Sequence, residues 1–177
     1  MSDRAFTERC RALRLLLLDV DGVMTDGRIL VLPGGGEGRT FHVRDGLALV
    51  LAHEAGLRTG ILSGRECEAV RSRARELRMD IIREGVRDKG AALREILAGE
   101  HLEPREVAYA GDDVNDIPVL ASVGLSAAPR DAPIEVRAEA FMVLDTPGGA
   151  GCVREFVEAI LRARGDWERV TSSLFPR

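Results

Sequence analysis

Residues 14–27 read RLLLLDVDGVMTDG. The leucines at 15 to 18 form a buried apolar strand that runs directly into Asp19 and Asp21, one residue apart, and then into Gly22 and Asp26. Acids clustered where a chain leaves its core cost free energy unless a cation compensates them. The stretch therefore predicts a charged site at the end of a first strand. Along an extended strand end alternate side chains share a face, so Asp19 and Asp21 can reach one reacting centre while Val20 anchors inward. Gly22 lets the chain turn away tightly.

Outward from this stretch, short apolar runs recur at 59–62, 80–82, 107–110, 123–127 and 141–144. Between them, 46–55, 66–78, 89–98, 115–121, 133–138 and 151–164 carry apolar residues at three- and four-residue spacing. This alternation predicts an α/β fold with a doubly wound, mainly parallel sheet in one domain over 1–177. One segment breaks the pattern: RILVLPGGGEGRTFHV, 28–43, is two β-prone runs around a Pro/Gly-rich turn and reads as an inserted hairpin. Gly34, Gly35, Gly36 and Gly38 lead into the strand-like run RTFHV. A phosphate-binding glycine loop would open a helix instead.

A chain of 177 residues can bury roughly 70% of the surface its unfolded form exposes, so a substantial core needs no disulfides. The formal charge of −4 and the single Trp and single Tyr offer neither a basic footprint nor a stacking surface for nucleic acid. Cys10, Cys67 and Cys152 are far apart and in no metal-binding or redox spacing, which points to a reducing compartment. The leucine run is too short for a signal peptide, and no stretch approaches the ~20 apolar residues of a membrane span. A cytoplasmic protein without membrane contact is expected. Among 25 basic residues Lys89 is the only lysine; a bias towards arginine codons or chance would leave such a residue, and it is also a candidate for a place where a guanidinium does not serve.

In doubly wound sheets ligands bind beyond the carboxyl ends of the strands, where strand order reverses. Asp19, Asp21, Thr25 and Asp26 follow the first strand, Ser63-Gly64-Arg65 follow TGIL, Lys89 opens a helix, and Asp112, Asp113 and Asp116 follow VAYAG. Carboxylates within ~4 Å of one another repel by several kcal/mol, so Asp19, Asp112 and Asp113 need a cation between them. Hard oxygen ligands with room for water favour Mg²⁺. With Lys89 and Ser63 on the remaining phosphate oxygens, the set describes a phosphoryl-transfer site. Asp19 is then the nucleophile that forms an aspartyl phosphate, and Asp21 is the acid and base.

Each motif alone has an ordinary explanation. D-x-D-G is common in turns, GDDVND can be a helix start whose acids complement the dipole, Ser63-Gly64 can cap a helix, and Lys89 can be a solvated charge. A calcium loop is excluded, because Val23 stands at the fifth position and no glutamate at the twelfth. All four motifs in this order, each at a strand end or a helix start, argue against coincidence. A signalling receiver domain would place its phosphorylated Asp after the third strand, with no acid two residues beyond it. A non-catalytic oligomerisation module would need a broken motif, and none is broken.

DVDGVMTDG, LSGR, DKG and GDDVND resemble, in order and spacing, the four motifs of haloacid dehalogenase-type phosphatases over nearly the whole chain. The hairpin in place of a cap domain, VRDG at 43–46 and the ending GGAGCVREFVEAIL resemble the capless subgroup that includes 3-deoxy-D-manno-octulosonate 8-phosphate phosphatases. Carried over by motif, the resemblance implies Asp19 as nucleophile and metal ligand, and Asp21 as acid/base with its carbonyl on Mg²⁺. It implies Ser63, Gly64, Arg65, Thr25 and Lys89 around phosphate and substrate, and Asp112 on the metal. Asp113 supports the metal through water and Asp116 orients the lysine. Arg65 resembles the enzymes acting on eight-carbon keto acid phosphates. Ser63 stands where many of the eight-carbon enzymes have Thr, and REFVEAIL resembles the nine-carbon relatives at least as well.

A capless site on an open sheet edge lacks groups to grip a polar sugar acid. Apolar Ile29, Val31, Phe41 and Val43 on the hairpin predict self-association, and the resemblance implies a homotetramer. The 148–151 segment and a flexible tail at 165–177 are the expected elements for closing over substrate.

Overall fold

The computed structural model describes residues 3–174. Helix α1 (Asp3–Ala12) leads into β1 (Leu15–Leu18). After an irregular helical turn at Val20–Met24 comes a hairpin of β2 (Leu30–Val31) and β3 (Glu37–Gly38). The chain continues as α2 (Val43–Glu54), β4 (Arg58–Leu62), α3 (Glu68–Glu76), β5 (Ile81–Arg83) and α4 (Lys89–Glu100). Then follow β6 (Val107–Ala110), α5 (Ile117–Leu120), β7 (Leu125–Ala128), α6 (Ile134–Glu139) and β8 (Met142–Val143). The last elements are α7 (Cys152–Arg164) and α8 (Trp167–Leu174). No helix among the described residues is long and apolar enough to cross a membrane.

Six strands form one parallel sheet in the order β5-β4-β1-β6-β7-β8. Strand order reverses at β1, which pairs with β4 on one side and β6 on the other, and this creates the crevice for a ligand. The unbroken leucines follow from that central position. Leu16 and Leu18 pack into the layer of α1, α2, α3, α7 and α8, while Leu15 and Leu17 pack into the layer of α4, α5 and α6. A strand covered on both faces needs apolar residues at every position rather than every second one. Burial of each leucine contributes about 1.5–3 kcal/mol.

Three expectations are corrected. The hairpin is shorter than predicted: RTFHV is not a strand, since regular pairing stops at Gly38 and α2 begins at Val43. Asp45, in the first turn of α2, is buried and accepts the Arg154 N–H at 2.7 Å, so this helix start also caps α7. The tail at 165–174 is not a free flap. The Arg154 and Arg162 guanidiniums each lie 4.8 Å from the Trp167 ring centroid, and Val170 is buried in the core. Residues 175–177 lie outside the described part.

The 148–151 segment likewise braces the fold rather than hanging over it. Gly148 donates its N–H to Asp131 Oδ1 at 3.0 Å and Gly149 donates to the Val23 carbonyl at 2.9 Å. A Cβ on Gly148 would collide with the Gly22 carbonyl, so the two loops meet backbone to backbone.

Candidate active site

Asp19 sits just past β1, still tied to the sheet by its N–H donating to the Ala110 carbonyl at 2.9 Å. The next turn is interrupted at Asp21 (ψ 111°) and Gly22 (φ 95°), so this broken turn, not a strand pleat, aims both carboxylates at one cavity. Val20 is fully buried beneath them. Gly22 is needed twice: its φ is left-handed, and a Cβ there would collide with the Asp112 carboxylate.

Lys89 is the first residue of α4, whose N-cap Asp88 accepts the Ala91 N–H at 2.8 Å. Its ammonium donates to Asp19 Oδ1 at 2.6 Å and to Asp116 Oδ1 at 2.5 Å. Tyr109 OH donates to that same Asp116 oxygen at 2.5 Å, while Asp116 Oδ2 accepts the N–H groups of Asp112 and Asp113 at 3.0 and 3.1 Å. Asp116 is thereby saturated and locks the lysine. Burial disfavours the Lys89 ammonium, but the Asp19 and Asp116 carboxylates outweigh it and hold its pKa above the usual lysine value.

Asp19, Asp112 and Asp116 each offer an oxygen, all within 4.8 Å of one another. Because four donors already occupy Asp116, the acceptors left for a cation belong to Asp19 and Asp112. Burial raises the Asp19 carboxyl to about 6, with Lys89 opposing. Burial, then repulsion from Asp19 and Asp116, raises Asp112 to about 8. Two carboxylates pressed together in this way retain a proton or take a cation between them. Hard oxygen donors beside a solvent-connected cavity fit Mg²⁺.

The cavity of about 180 Å³ is lined by Asp19, Asp21, Ser63, Gly64, Arg65, Asp112, Asp113 and Asn115. In a larger depression of about 460 Å³, Arg154 and Arg162 both pair with Glu158. Ser63 is buried at the end of β4, its Oγ accepting the Arg65 N–H at 3.3 Å. Asp113 faces the rim and accepts the Val114 N–H at 2.7 Å. Thr25 does not join them. It is wholly buried under the turn, where its hydroxyl donates to the Val20 carbonyl at 3.2 Å and accepts the Gly27 N–H at 3.3 Å.

Sequence reasoning missed Tyr109, Asn115, Glu37 and Arg39. A lone tyrosine in an apolar strand was a usable signal, since a buried phenol needs a partner. Nothing in the sequence pointed to Arg39, whose guanidinium donates from Nε to Asp21 Oδ1 at 2.6 Å and from Nη2 to Glu37 Oε2 at 3.0 Å.

With this geometry in place, the comparisons are specific. The family model described as haloacid dehalogenase-like hydrolase matches residues 67–155. The 3-deoxy-D-manno-octulosonate 8-phosphate phosphatase KdsC of Yersinia pestis is 39% identical over 164 residues, covering 93% of this chain and 88% of that protein. A probable YrbI family phosphatase from Pseudomonas syringae superposes with a TM-score of 0.94 at 37% identity, covering 98% of this chain and 99% of its own. The Moraxella catarrhalis 3-deoxy-D-manno-octulosonate 8-phosphate phosphatase, solved with a magnesium ion, a phosphate ion and KDO, superposes at 0.92 with 30% identity, covering 96% and 97%. With its parallel sheet, its hairpin in place of a cap and these relatives along its length, the chain is a haloacid dehalogenase-like phosphoric monoester hydrolase of the KdsC family.

Proposed function

We propose that the protein is a Mg²⁺-dependent phosphatase that hydrolyses a sugar-acid phosphate monoester, 3-deoxy-D-manno-octulosonate 8-phosphate, through an aspartyl phosphate on Asp19. The observation that carries this reading is the Asp19 carboxylate, which faces the cavity with one oxygen held 2.6 Å from the lone lysine. Bound Mg²⁺ would neutralise charge between phosphate and carboxylates. Asp19, Asp112 and the Asp21 carbonyl are its ligands, with Asp113 supporting it at the rim. Lys89, aligned by Asp116, and Ser63 with the Gly64 backbone hold the phosphate oxygens. Arg65, with its side chain half exposed at the mouth, meets the sugar acid. Thr25 leaves the phosphate set, because the loop uses its hydroxyl.

Free, buried cysteines at 10, 67 and 152 accord with a reducing cytoplasmic location. The assembly is a homotetramer joined through the hairpins. Leu30 and Val31 are 60% and 74% exposed, and Ile29, Leu32, Leu47 and Val50 are also exposed, which supports an apolar contact face.

A phosphate-release screen with Mg²⁺ tests the reading by comparing eight- and nine-carbon keto acid phosphates. The highest kcat/KM is expected for the eight-carbon 8-phosphate. Preference for a nine-carbon 9-phosphate would move the assignment to the sialic-acid type, and phosphate release from neither would remove it.

A further inference from the structure

The hairpin contributes directly to the site. Arg39, one residue past β3, has no exposed side-chain surface. Its Nε donates to Asp21 Oδ1 at 2.6 Å, its Nη2 lies 3.5 Å from Asp21 Oδ2, and its Nη1 donates to the Gly38 carbonyl at 3.0 Å. Glu37, on β3, takes the other side of the guanidinium at 3.0 Å and lies 3.7 Å from Arg65 Nη1 with its second oxygen. The Glu37 carbonyl accepts from Cys67 Sγ at 3.5 Å, which fastens β3 to the start of α3. A planar guanidinium gripped by two carboxylates and a carbonyl has one orientation. It therefore dictates the orientation of Asp21.

The geometry points to Arg39 as the positioning residue for proton transfer at Asp21, supplied by the hairpin and aligned by Glu37. This inference rests on the phosphatase reading above. Arg39 holds Oδ1 tightly at 2.6 Å and Oδ2 only at 3.5 Å, so Oδ2, the more weakly held oxygen, is the one that carries the proton. In the first half-reaction the bond from Asp19 Oδ to phosphorus forms, the phosphorus–alkoxide bond breaks, and the leaving oxygen takes the proton from Asp21. In the second, water attacks phosphorus and its proton goes to Asp21. The acyl phosphate bond breaks, and Asp19 is again a carboxylate. Both transfers need the same Asp21 oxygen in the cavity, and no other described side chain donates to the Asp21 carboxylate among the hydrogen bonds of this site.

Leaving-group chemistry separates positioning from a merely structural role. p-Nitrophenolate leaves without protonation, whereas a sugar alkoxide does not. Arg39→Ala is expected to give a burst of about one p-nitrophenolate per subunit, at a rate near wild type, followed by slowed steady turnover. Its kcat on an alkyl phosphate should fall at least ~10-fold more than the burst rate, with KM little changed. Arg39→Lys, which restores a cation without the fork, should lie between Arg39→Ala and wild type. An equal fall in burst rate and alkyl kcat, or no fall in either, would overturn the inference. The purified wild type is the control: if it hydrolyses neither substrate, the phosphatase reading itself fails, whereas an active wild type with an indifferent Arg39→Ala sinks only the role of Arg39.

Discussion

Gly22 lies against the carboxylate of Asp112 so closely that any Cβ would overlap Oδ2. Two loops that leave the sheet from β1 and β6 are thereby brought within reach of one ion. Gly22→Ala is expected to push the Asp112 side chain off its place, in addition to the roughly 1–3 kcal/mol of strain at φ 95°. The Mg²⁺ concentration for half-maximal activity should rise about 10–100-fold. Gly27→Ala is the comparison, since Gly27 has φ 75° but nothing closer than 3.7 Å to a Cβ. It should lose stability and keep the Mg²⁺ requirement. Equal Mg²⁺ requirements in both variants would show that strain alone matters.

Lys89 is 3% exposed between two carboxylates, and the space is shaped for a compact ammonium. Lys89→Arg keeps the charge but adds a planar fork with no room to lie between Asp19 and Asp116. Most of kcat/KM should vanish. A variant retaining more than half of it, a loss under about 0.4 kcal/mol, would mean that the lone lysine reflects codon usage rather than chemistry. Lys89→Met should also destabilise the fold by about 3–5 kcal/mol, because it leaves buried carboxylates without their partner.

The raised carboxyls of Asp19, about 6, and Asp112, about 8, set a pH dependence for the metal-free protein. Unfolded aspartate titrates near 3.9, so protonation favours the folded state, and that contribution is full below about pH 4. It is lost as pH rises through 6 and then 8. In EDTA the Tm should therefore fall from pH 5.5 to pH 8.5. Mg²⁺, which competes with those protons, should raise Tm more at the higher pH. Scanning calorimetry of Asp112→Asn supplies the check, since that variant should show a shallower fall and a smaller Mg²⁺ increment. An identical slope in the variant would place the titration elsewhere.

What the sequence made legible was whatever depends on local pattern. Leu15–Leu18 announce a strand covered on both sides, and the acids and Lys89 announce strand ends and a helix start because topology puts those places together. Arg39 was illegible, since its contact with Asp21 depends on how a hairpin folds back, and no spacing encodes that. RTFHV was misread because Phe41 and Val43 alternate as in a strand, whereas Asp45 is required in a helical turn to cap α7. The tail was misread despite an available signal. Trp167, Val170 and Leu174 have helical spacing, and all three pack on the core.

The apolar hairpin yields the last prediction. Four exposed aliphatic residues in succession, Ile29 to Leu32, on a two-residue strand edge are costly for an isolated chain in water and favourable once covered. A closed symmetric assembly of four copies would bury each such edge against another and bring neighbouring material to the mouth of the open site. Light scattering should give about 77 kDa, four times the 19.2 kDa chain. Val31→Asp, at a position 74% exposed in one chain, should fold normally yet dissociate, because every interface would then bury a carboxylate opposite apolar partners. Its KM for the sugar acid phosphate should rise, while its p-nitrophenyl phosphate turnover changes less, because in such an assembly only the larger substrate would draw on groups from a neighbour. An active wild type scattering near 19.2 kDa would overturn the assembly, and a dissociated Val31→Asp with unchanged KM would confine the site to one chain.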